Sequence, residues 1–427
     1  MFLTVFLVGL FSFILLNIPI AFCLILVSII FMVLTMGDIS PSIIAQNIVR
    51  GVDNFPLMAV PFFILAGEIM NVGGISRRIV DFAKALVGHV VGGLGYVAVV
   101  ASMIFAGVSG SAVADTSAIG SILLPVMDKE GYEKRKATAL VCSAGTIGPI
   151  IPPSIPMILF GVIGNVSVVK LFLGGIIPGI LIGIALMIGW YFHAKKSDYK
   201  CSDRVTAAQL GAATRSALWA LVLPIVIMGG IVSGVFTPTE ASVIAVVYAM
   251  LVGFFGYREL KFSHLPEVCL ATVKSTAIVM LVCGAATVAA YFITIAQIPE
   301  LLANALLAVS DNVLVIMLLI NILLLIVGCV MDITPALFIL TPILLPIVMD
   351  FGLDPVYFGV IMVMNLCIGL LTPPVGTVLY LGCSMSKLTM AQMTRPIFQN
   401  VAIMVVVLLL CTYIPGLVTY IPQNFGR

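Results

Sequence analysis

The sequence predicts an all-α membrane protein with many spans and two related halves of opposite orientation. Each half is expected to hold a re-entrant helical hairpin followed by a broken helix. Three observations carry this. Of the 427 residues, 62% are hydrophobic and only 9% charged, against roughly a quarter charged in soluble domains. Apolar runs at 2–16, 21–36, 171–190, 217–231, 314–330 and 401–413 approach the ~20 residues that cross a ~30 Å hydrocarbon core. Finally, the two halves match at a fixed offset.

That offset is 221 residues. It pairs Gly107 with Gly328, Ile122-Leu123-Leu124-Pro125 with Ile343-Leu344-Leu345-Pro346, and Gly131 with Gly352. It also pairs Ile147-Gly148 with Ile368-Gly369, Pro152-Pro153 with Pro373-Pro374, and Gly161 with Gly382. With 38 Gly and 23 Pro in the chain, chance supplies about half of one Gly pair over this stretch, so the match is an internal repeat.

The elements follow in order. Residues 1–91 are expected to form N-terminal scaffold helices. The first apolar run lacks a basic leader and passes through Asn17-Ile18-Pro19 straight into the second, which fits a membrane helix and not a cleaved signal peptide. Glu68, near the end of its helix and close in sequence to Arg77 and Arg78, is expected to be a structural acid. Residues 92–192 form the first repeat, with a hairpin at 92–127 and a broken helix at 132–165. The polar stretch 193–215 divides the halves and opens a region, 193–311, of cytoplasmic loop and further scaffold helices. Residues 312–396 form the second repeat, with a hairpin at 312–349 and a broken helix at 355–385; 397–427 is a C-terminal helix.

Charge sets the orientation. Five crossings, near 132–165, 171–192, 216–235, 239–256 and 275–296, separate the hairpins, and an odd number inverts the second relative to the first. With the base of the first hairpin in the cytoplasm, all of the 20 Lys and Arg except Arg50, Lys170 and Arg427 fall on the cytoplasmic side, as the positive-inside rule requires. Glu300, Asp311, Asp350 and Asp354 fall in outer loops without Lys or Arg. Inverted repeats with broken helices characterise secondary transporters, whose sites form near the midplane where the repeats meet.

Several function classes are excluded on composition and motif. The net charge of +2 comes from short loops, so nucleic acid is not a partner. Nine Cys without a C-x-x-C pair or a Cys/His cluster argue against disulfides and transition metals. Gly107-Val108-Ser109-Gly110 matches the G-x-S-G of intramembrane serine proteases, but the three histidines, His89, His193 and His264, all lie near cytoplasmic helix ends, away from a Ser nucleophile. No Walker A loop is present, so ATP does not drive the chain directly. The chain is not expected to be an enzyme.

Four segments can carry chemistry. The tip Gly107-Val108-Ser109-Gly110-Ser111-Ala112-Val113-Ala114-Asp115-Thr116 and its partner Gly328-Cys329-Val330-Met331-Asp332-Ile333-Thr334-Pro335 interrupt apolar helices. Non-helical backbone at membrane depth is tolerated only inside protein or beside a cavity. Freed carbonyls with Ser or Thr hydroxyls can cage an alkali cation, and the N–H groups of the next helix can hold an anion; close helix packing is the alternative role for such small residues. The breaks Gly145-Thr146-Ile147-Gly148-Pro149-Ile150-Ile151-Pro152-Pro153-Ser154 and Gly369-Leu370-Leu371-Thr372-Pro373-Pro374-Val375-Gly376-Thr377 each carry a double proline that splits a helix in two. Asp115 and Asp332 are costly in apolar surroundings, and each is open to being a cation ligand, a proton carrier or a helix cap. They do not align with each other at the 221 offset.

With these segments in view, the sequence resembles the large membrane subunit of tripartite ATP-independent periplasmic (TRAP) transporters over its whole length. The matching stretches are 60–68, 107–115, 148–156, 236–241 with its Thr237-Pro238-Thr239-Glu240-Ala241 string, and 369–377. The resemblance implies an elevator-type ion-transporter fold in the bacterial inner membrane. It implies sodium-coupled import of an organic acid, with sialic acid favoured and a C4-dicarboxylate next. The implied partners are a small four-helix membrane subunit and a periplasmic substrate-binding protein. No cofactor is expected beyond the coupling sodium ions. Carried over by residue, one sodium site is expected near Ser109, Gly110, Ser111, Gly145 and Gly148, with Asp115 beside it, and another near Gly328, Asp332, Gly369 and Thr372. Substrate contacts are expected at Thr116, Ser154, Thr334 and Thr377. A proton-coupled carrier and a channel are the competing readings.

Overall fold

In the computed structural model the described residues are 8, 9, 12, 13, 16, 18–35, 40–197, 199, 206–307, 310 and 312–426. The expected first helix at 2–16 lies largely outside them, as do Asp311, Lys200, Arg204 and Arg427. Among the described residues there are helices and no strands. Among the described residues, eight helices are long and apolar enough to cross a membrane.

Before the first hairpin come α1 (Ile20–Thr35), α2 (Ser42–Val52), α3 (Ala59–Val72) and α4 (Ile75–Val87). The hairpin is α5 (Gly93–Ser109) with α6 (Ala112–Lys129), and the broken helix is α7 (Lys134–Gly145) with α8 (Ile155–Gly164). Then follow α9 (Val168–Ala194), α10 (Ala207–Val232), α11 (Pro238–Leu251), α12 (Leu265–Ile295) and the short α13 (Ile298–Leu307). The second hairpin is α14 (Val313–Val330) with α15 (Ile333–Asp350), and the second broken helix is α16 (Pro355–Gly369) with α17 (Thr377–Ser386). The chain continues through α18 (Met390–Tyr413) and α19 (Gly416–Phe425).

The five segments expected to cross are helical, as the α7–α8 pair, α9, α10, α11 and α12, and the last four are each part of a helix long and apolar enough to span. The ten-residue α13 is only about 15 Å long and cannot span the core, so the odd parity behind the inversion holds. Two boundaries differ from expectation. The C-terminal helix begins at Met390 and is followed by a second, α19, because Ile414 and Pro415 break it. The hairpin arms have 17 or 18 residues, about 26 Å each, so both tips reach most of the way through a bilayer core. The tips still end in protein. A Cβ on Gly110 would strike the 153–155 backbone, and one on Gly328 would sit 3.0 Å from the Gly369 Cα.

The two repeats interlock. The second arm of each hairpin packs on the distal half-helix of the other repeat's broken helix: α15 on α8 and α6 on α17. Around this unit, α3 packs on α11, α4 on α10, and the 31-residue α12 packs on α1, α2, α3 and α15. The Thr237–Glu240 string is a helix cap. Glu240 N–H donates to Thr237 Oγ1 at 3.2 Å and Thr237 N–H donates to Glu240 Oε2 at 2.8 Å, the reciprocal box that starts α11.

Candidate functional site: two tips, two breaks and a shared cavity

At the first tip Gly110 takes a left-handed φ of +61° that ends α5, and extended Ser111 caps α6 by accepting from Ala114 N–H at 3.4 Å. The turn is short enough to fold Ser109 back on the next helix. Its hydroxyl donates to Asp115 Oδ1, and Ser111 N–H donates to Ser109 Oγ at 3.2 Å. Asp115 is 0% exposed, and its Oδ2 has no hydrogen-bond partner; neither does the buried Thr116 Oγ1.

The first break lies directly against these oxygens. A Cβ on Gly148 would collide with Asp115 Oδ2, and one on Gly145 with Thr116 Oγ1. Glycine is therefore required at both places so that a carboxylate and a hydroxyl can approach open backbone. The structure brings together Ser109, Asp115, Thr116, Gly145 and Gly148, with Gly110 and Ser111 shaping the turn beside them. An unpaired buried carboxylate oxygen is costly, and this oxygen-only pocket has the donors that a hard cation prefers.

At the second tip Met331 and Asp332 are extended, and Asp332 precedes α15 without a side-chain cap bond. Gly328 and Gly369 bring α14 and α16 into backbone contact. Thr372 joins them: its hydroxyl donates to Gly369 O at 2.8 Å and lies 2.7 Å from Cys329 Sγ, while Val375 N–H donates to Cys329 O at 3.1 Å. Gly376, at φ +40°, starts α17. Both breaks contain a cis Pro-Pro bond, at Pro152–Pro153 and Pro373–Pro374.

Between the tips is a cavity of about 470 Å³ lined by Ser109–Ala114 and Ser117 on one side and Asp332–Thr334 and Leu370 on the other. Asp115 and Thr116 lie behind its wall. Glu68 and Asn71 of α3 and Ser275 of α12 add polar groups to the lining. A Cβ on Gly67 would lie 3.8 Å from the Ser109 side chain, and Gly67 also lines the cavity. The expected pairing of Glu68 with Arg77 and Arg78 is not formed: Arg78 pairs with Glu259 at 2.8 Å and stacks over Tyr257 at 3.7 Å.

The four expected substrate contacts separate. Thr334 lines the cavity and Thr116 lies beneath it. Ser154 is 0% exposed and its hydroxyl is engaged within the break, donating to Pro149 O and accepting from Met157 N–H at 3.2 Å as the cap of α8. Thr377, in the first turn of α17, does not line the cavity, and its Oγ1 is buried without a partner. Two features had no signal in the one-dimensional pattern. Ser275 follows Lys274 and precedes Thr276 at the polar edge of an apolar run, where nothing marks it as facing a cavity. The chain Asn365 Nδ2 to Asn321 Oδ1 (2.8 Å) and Asn321 Nδ2 to Thr412 Oγ1 (3.0 Å) ties α16, α14 and α18 together below the second tip.

Comparison with known proteins fits this architecture. Residues 7–417 match the family described as tripartite ATP-independent periplasmic transporter, DctM component. The 2,3-diketo-L-gulonate TRAP transporter large permease protein of Escherichia coli is 44% identical over 403 residues, covering 94% of each chain. The sialic acid TRAP transporter large permease protein of Vibrio cholerae is 39% identical over 407 residues, covering 95% of each. Among solved structures, the Alcanivorax borkumensis YdaH transporter, described as having an unusual topology, superimposes with a TM-score of 0.60 at 15% identity, over 90% of this chain and 88% of that one; at that identity the likeness is one of fold. Ser109 is bonded to Asp115 and not to a histidine, so the G-x-S-G string is a hairpin turn and not a nucleophile. The chain belongs to the DctM family of TRAP transporter large permeases: it is a multi-pass inner-membrane transport subunit and not an enzyme.

Proposed function

We propose that the chain carries out the sodium-coupled membrane step in the import of an organic acid. The observation that carries this reading is the pair of unpartnered buried oxygens, Asp115 Oδ2 and Thr116 Oγ1, set against Gly145 and Gly148 directly behind a cavity shared by both tips. A sodium ion there satisfies the carboxylate, and filling it fixes the tip that forms one wall of the substrate cavity. Coupling follows if the cavity closes around substrate only when the tip is held. Gly328, Asp332, Gly369 and Thr372 form the second candidate sodium site. The substrate carboxylate is assigned to the space between Ser111 and Thr334. No arginine lines it, which suits transient holding after delivery by a separate periplasmic binding protein.

The interlocked unit α5–α8 with α14–α17 is proposed to slide as one body against α1–α4 and α10–α12, carrying the cavity across the membrane. A small membrane subunit is proposed to complete the scaffold. The named substrates of the E. coli and V. cholerae relatives are both polyhydroxylated acids, and sialic acid is the first candidate here, with a C4-dicarboxylate as the alternative. In proteoliposomes holding the chain, its membrane partner and the binding protein, an inward sodium gradient should drive concentrative uptake, and potassium should not replace it. Equal uptake in potassium removes the coupling. A second reading rests on the same carboxylate: if Asp115 carries a proton, a pH gradient drives uptake without sodium and Asp115→Asn abolishes that drive.

A further inference from the structure

The basic end of the molecule holds a second built cavity, remote from the two tips. It has a volume of about 480 Å³ and lies between the starts of α7 and α18, lined by Glu133, Arg135 and Lys136 on one side and Gln392, Arg395 and Gln399 on the other. Glu133 is the only acid in the lining, and it lies 3.6 Å from Lys136. Lys136 also lies 3.0 Å from His193 Nδ1. Among the described residues, neither Arg135 nor Arg395 has a carboxylate within ion-pair distance. The cavity thus keeps a net positive charge, with two free guanidinium groups that suit bidentate contact with phosphate oxygens.

The helix that supplies Arg395 also leads away from the cavity in a particular way. Gln392, Arg395 and Gln399 are followed on the same face by Ala402, Val406, Leu410 and Tyr413, all exposed, at steps of three or four residues. Such steps keep side chains on one side of a helix. The polar head of this stripe is at the basic end. Its apolar continuation from Ala402 to Tyr413 covers about 17 Å, roughly the depth of one leaflet. A cationic pocket that opens onto an apolar lane of leaflet length complements a phospholipid, with its phosphate in the pocket and its acyl chains along α18. Cytoplasmic leaflets are rich in anionic lipid, and basic pockets between membrane helices on that side suit their headgroups.

We propose that the pocket formed by Arg135, Lys136, Arg395, Gln392 and Gln399 binds the phosphate of an anionic phospholipid of the inner leaflet. Because α7 and α18 belong to or pack on the interlocked repeats, the bound lipid sits on that unit.

The test uses the full chain with its membrane partner, delipidated in detergent and titrated with phosphatidylglycerol or phosphatidylcholine, with native mass spectrometry reading the bound fraction. Phosphatidylglycerol should be retained preferentially, and Arg135→Ala with Arg395→Ala should weaken its binding roughly thirtyfold, the loss expected for two basic side chains near a charged headgroup. Elution volume and melting temperature should not change, since both arginines are exposed. Lys129→Ala with Lys196→Ala removes the same charge from the same end outside the pocket and should leave retention intact. Unchanged retention in the arginine variant overturns the proposal, as does equal loss in the lysine control, which means diffuse surface attraction. Displacement of the lipid by millimolar inorganic phosphate overturns the lipid assignment in favour of a free phosphate site.

Discussion

The two tip-and-break units derive from one repeat, yet they solve the same backbone problem differently. In the first, Ser109, Asp115 and Thr116 are folded under the tip against Gly145 and Gly148, leaving two buried oxygens without partners. In the second, Gly328 touches Gly369 directly, Thr372 has given its hydroxyl to Gly369 O, and the acid has moved to the tip itself, where Asp332 opens on the cavity. The first unit is a recess that leaves Asp115 Oδ2 and Thr116 Oγ1 without partners; the second is a tight backbone crossing in which Thr372 is hydrogen-bonded while Asp332 makes no side-chain cap bond and Thr377 Oγ1 has no partner. Repeat symmetry therefore conserves the fold of the turn and not the placement of its charge.

Four tests by substitution break or sharpen this contrast. The largest effect is expected from Asp115→Asn, which keeps the shape and removes the charge. Sodium-driven uptake should fall by about a hundredfold or more, in line with loss of a central electrostatic interaction in a dry site. Uptake within a factor of about three of wild type would mean the recess holds no ion. Gly369→Ala comes next and acts on stability: its Cβ has no room against the Gly328 backbone, and overpacking of this kind costs about 1–3 kcal/mol or more. The purified protein should melt several degrees lower, whereas Gly352→Ala, where nothing lies within 4 Å but φ is +73°, should cost only about 1 kcal/mol.

Third, Thr116→Val and Thr372→Val should separate the units. Thr116 Oγ1 is unpartnered, so its loss should raise the sodium concentration for half-maximal uptake about tenfold while barely altering the melting temperature. Thr372 already has partners, so its loss should destabilise by about 1 kcal/mol with a smaller shift in sodium dependence; the opposite ranking reverses the comparison. The smallest effect belongs to Ser154→Ala. As a cap with no face on the cavity, it should lower stability by about 1 kcal/mol and leave the substrate half-saturation concentration unchanged. A change in that concentration would restore Ser154 as a substrate contact.

Much of this was legible one residue at a time. The glycine pairs and double prolines marked the tips and breaks within a few residues, because a helix cannot run through Pro152-Pro153 or Pro373-Pro374 without splitting. Gly145 and Gly148 stand out in the sequence, but the Asp115 and Thr116 oxygens that press on them do not. The partners of the acids were not legible. Glu68 stands close in sequence to Arg77 and Arg78, yet Arg78 turns to Glu259, far along the chain. Ser154 reads as a polar group available to a ligand, yet it serves as a helix cap, a role that depends on where the preceding turn ends. The Asn321–Asn365–Thr412 chain crosses three helices, so no spacing within one of them announces it.

What the sequence by itself determined was the class of molecule: its apolar content excluded a soluble fold, its 221-residue offset made two halves, and its distribution of Lys and Arg set them in opposite senses. Those are properties of counts and periods, which survive without knowledge of any contact. Which oxygens remain unpaired was decided only by the tertiary structure. Whether a buried carboxylate oxygen is capped, paired or left without a partner depends on how closely Gly145 and Gly148 let the broken helix approach Asp115, and that distance is set by the packing of the interlocked repeats.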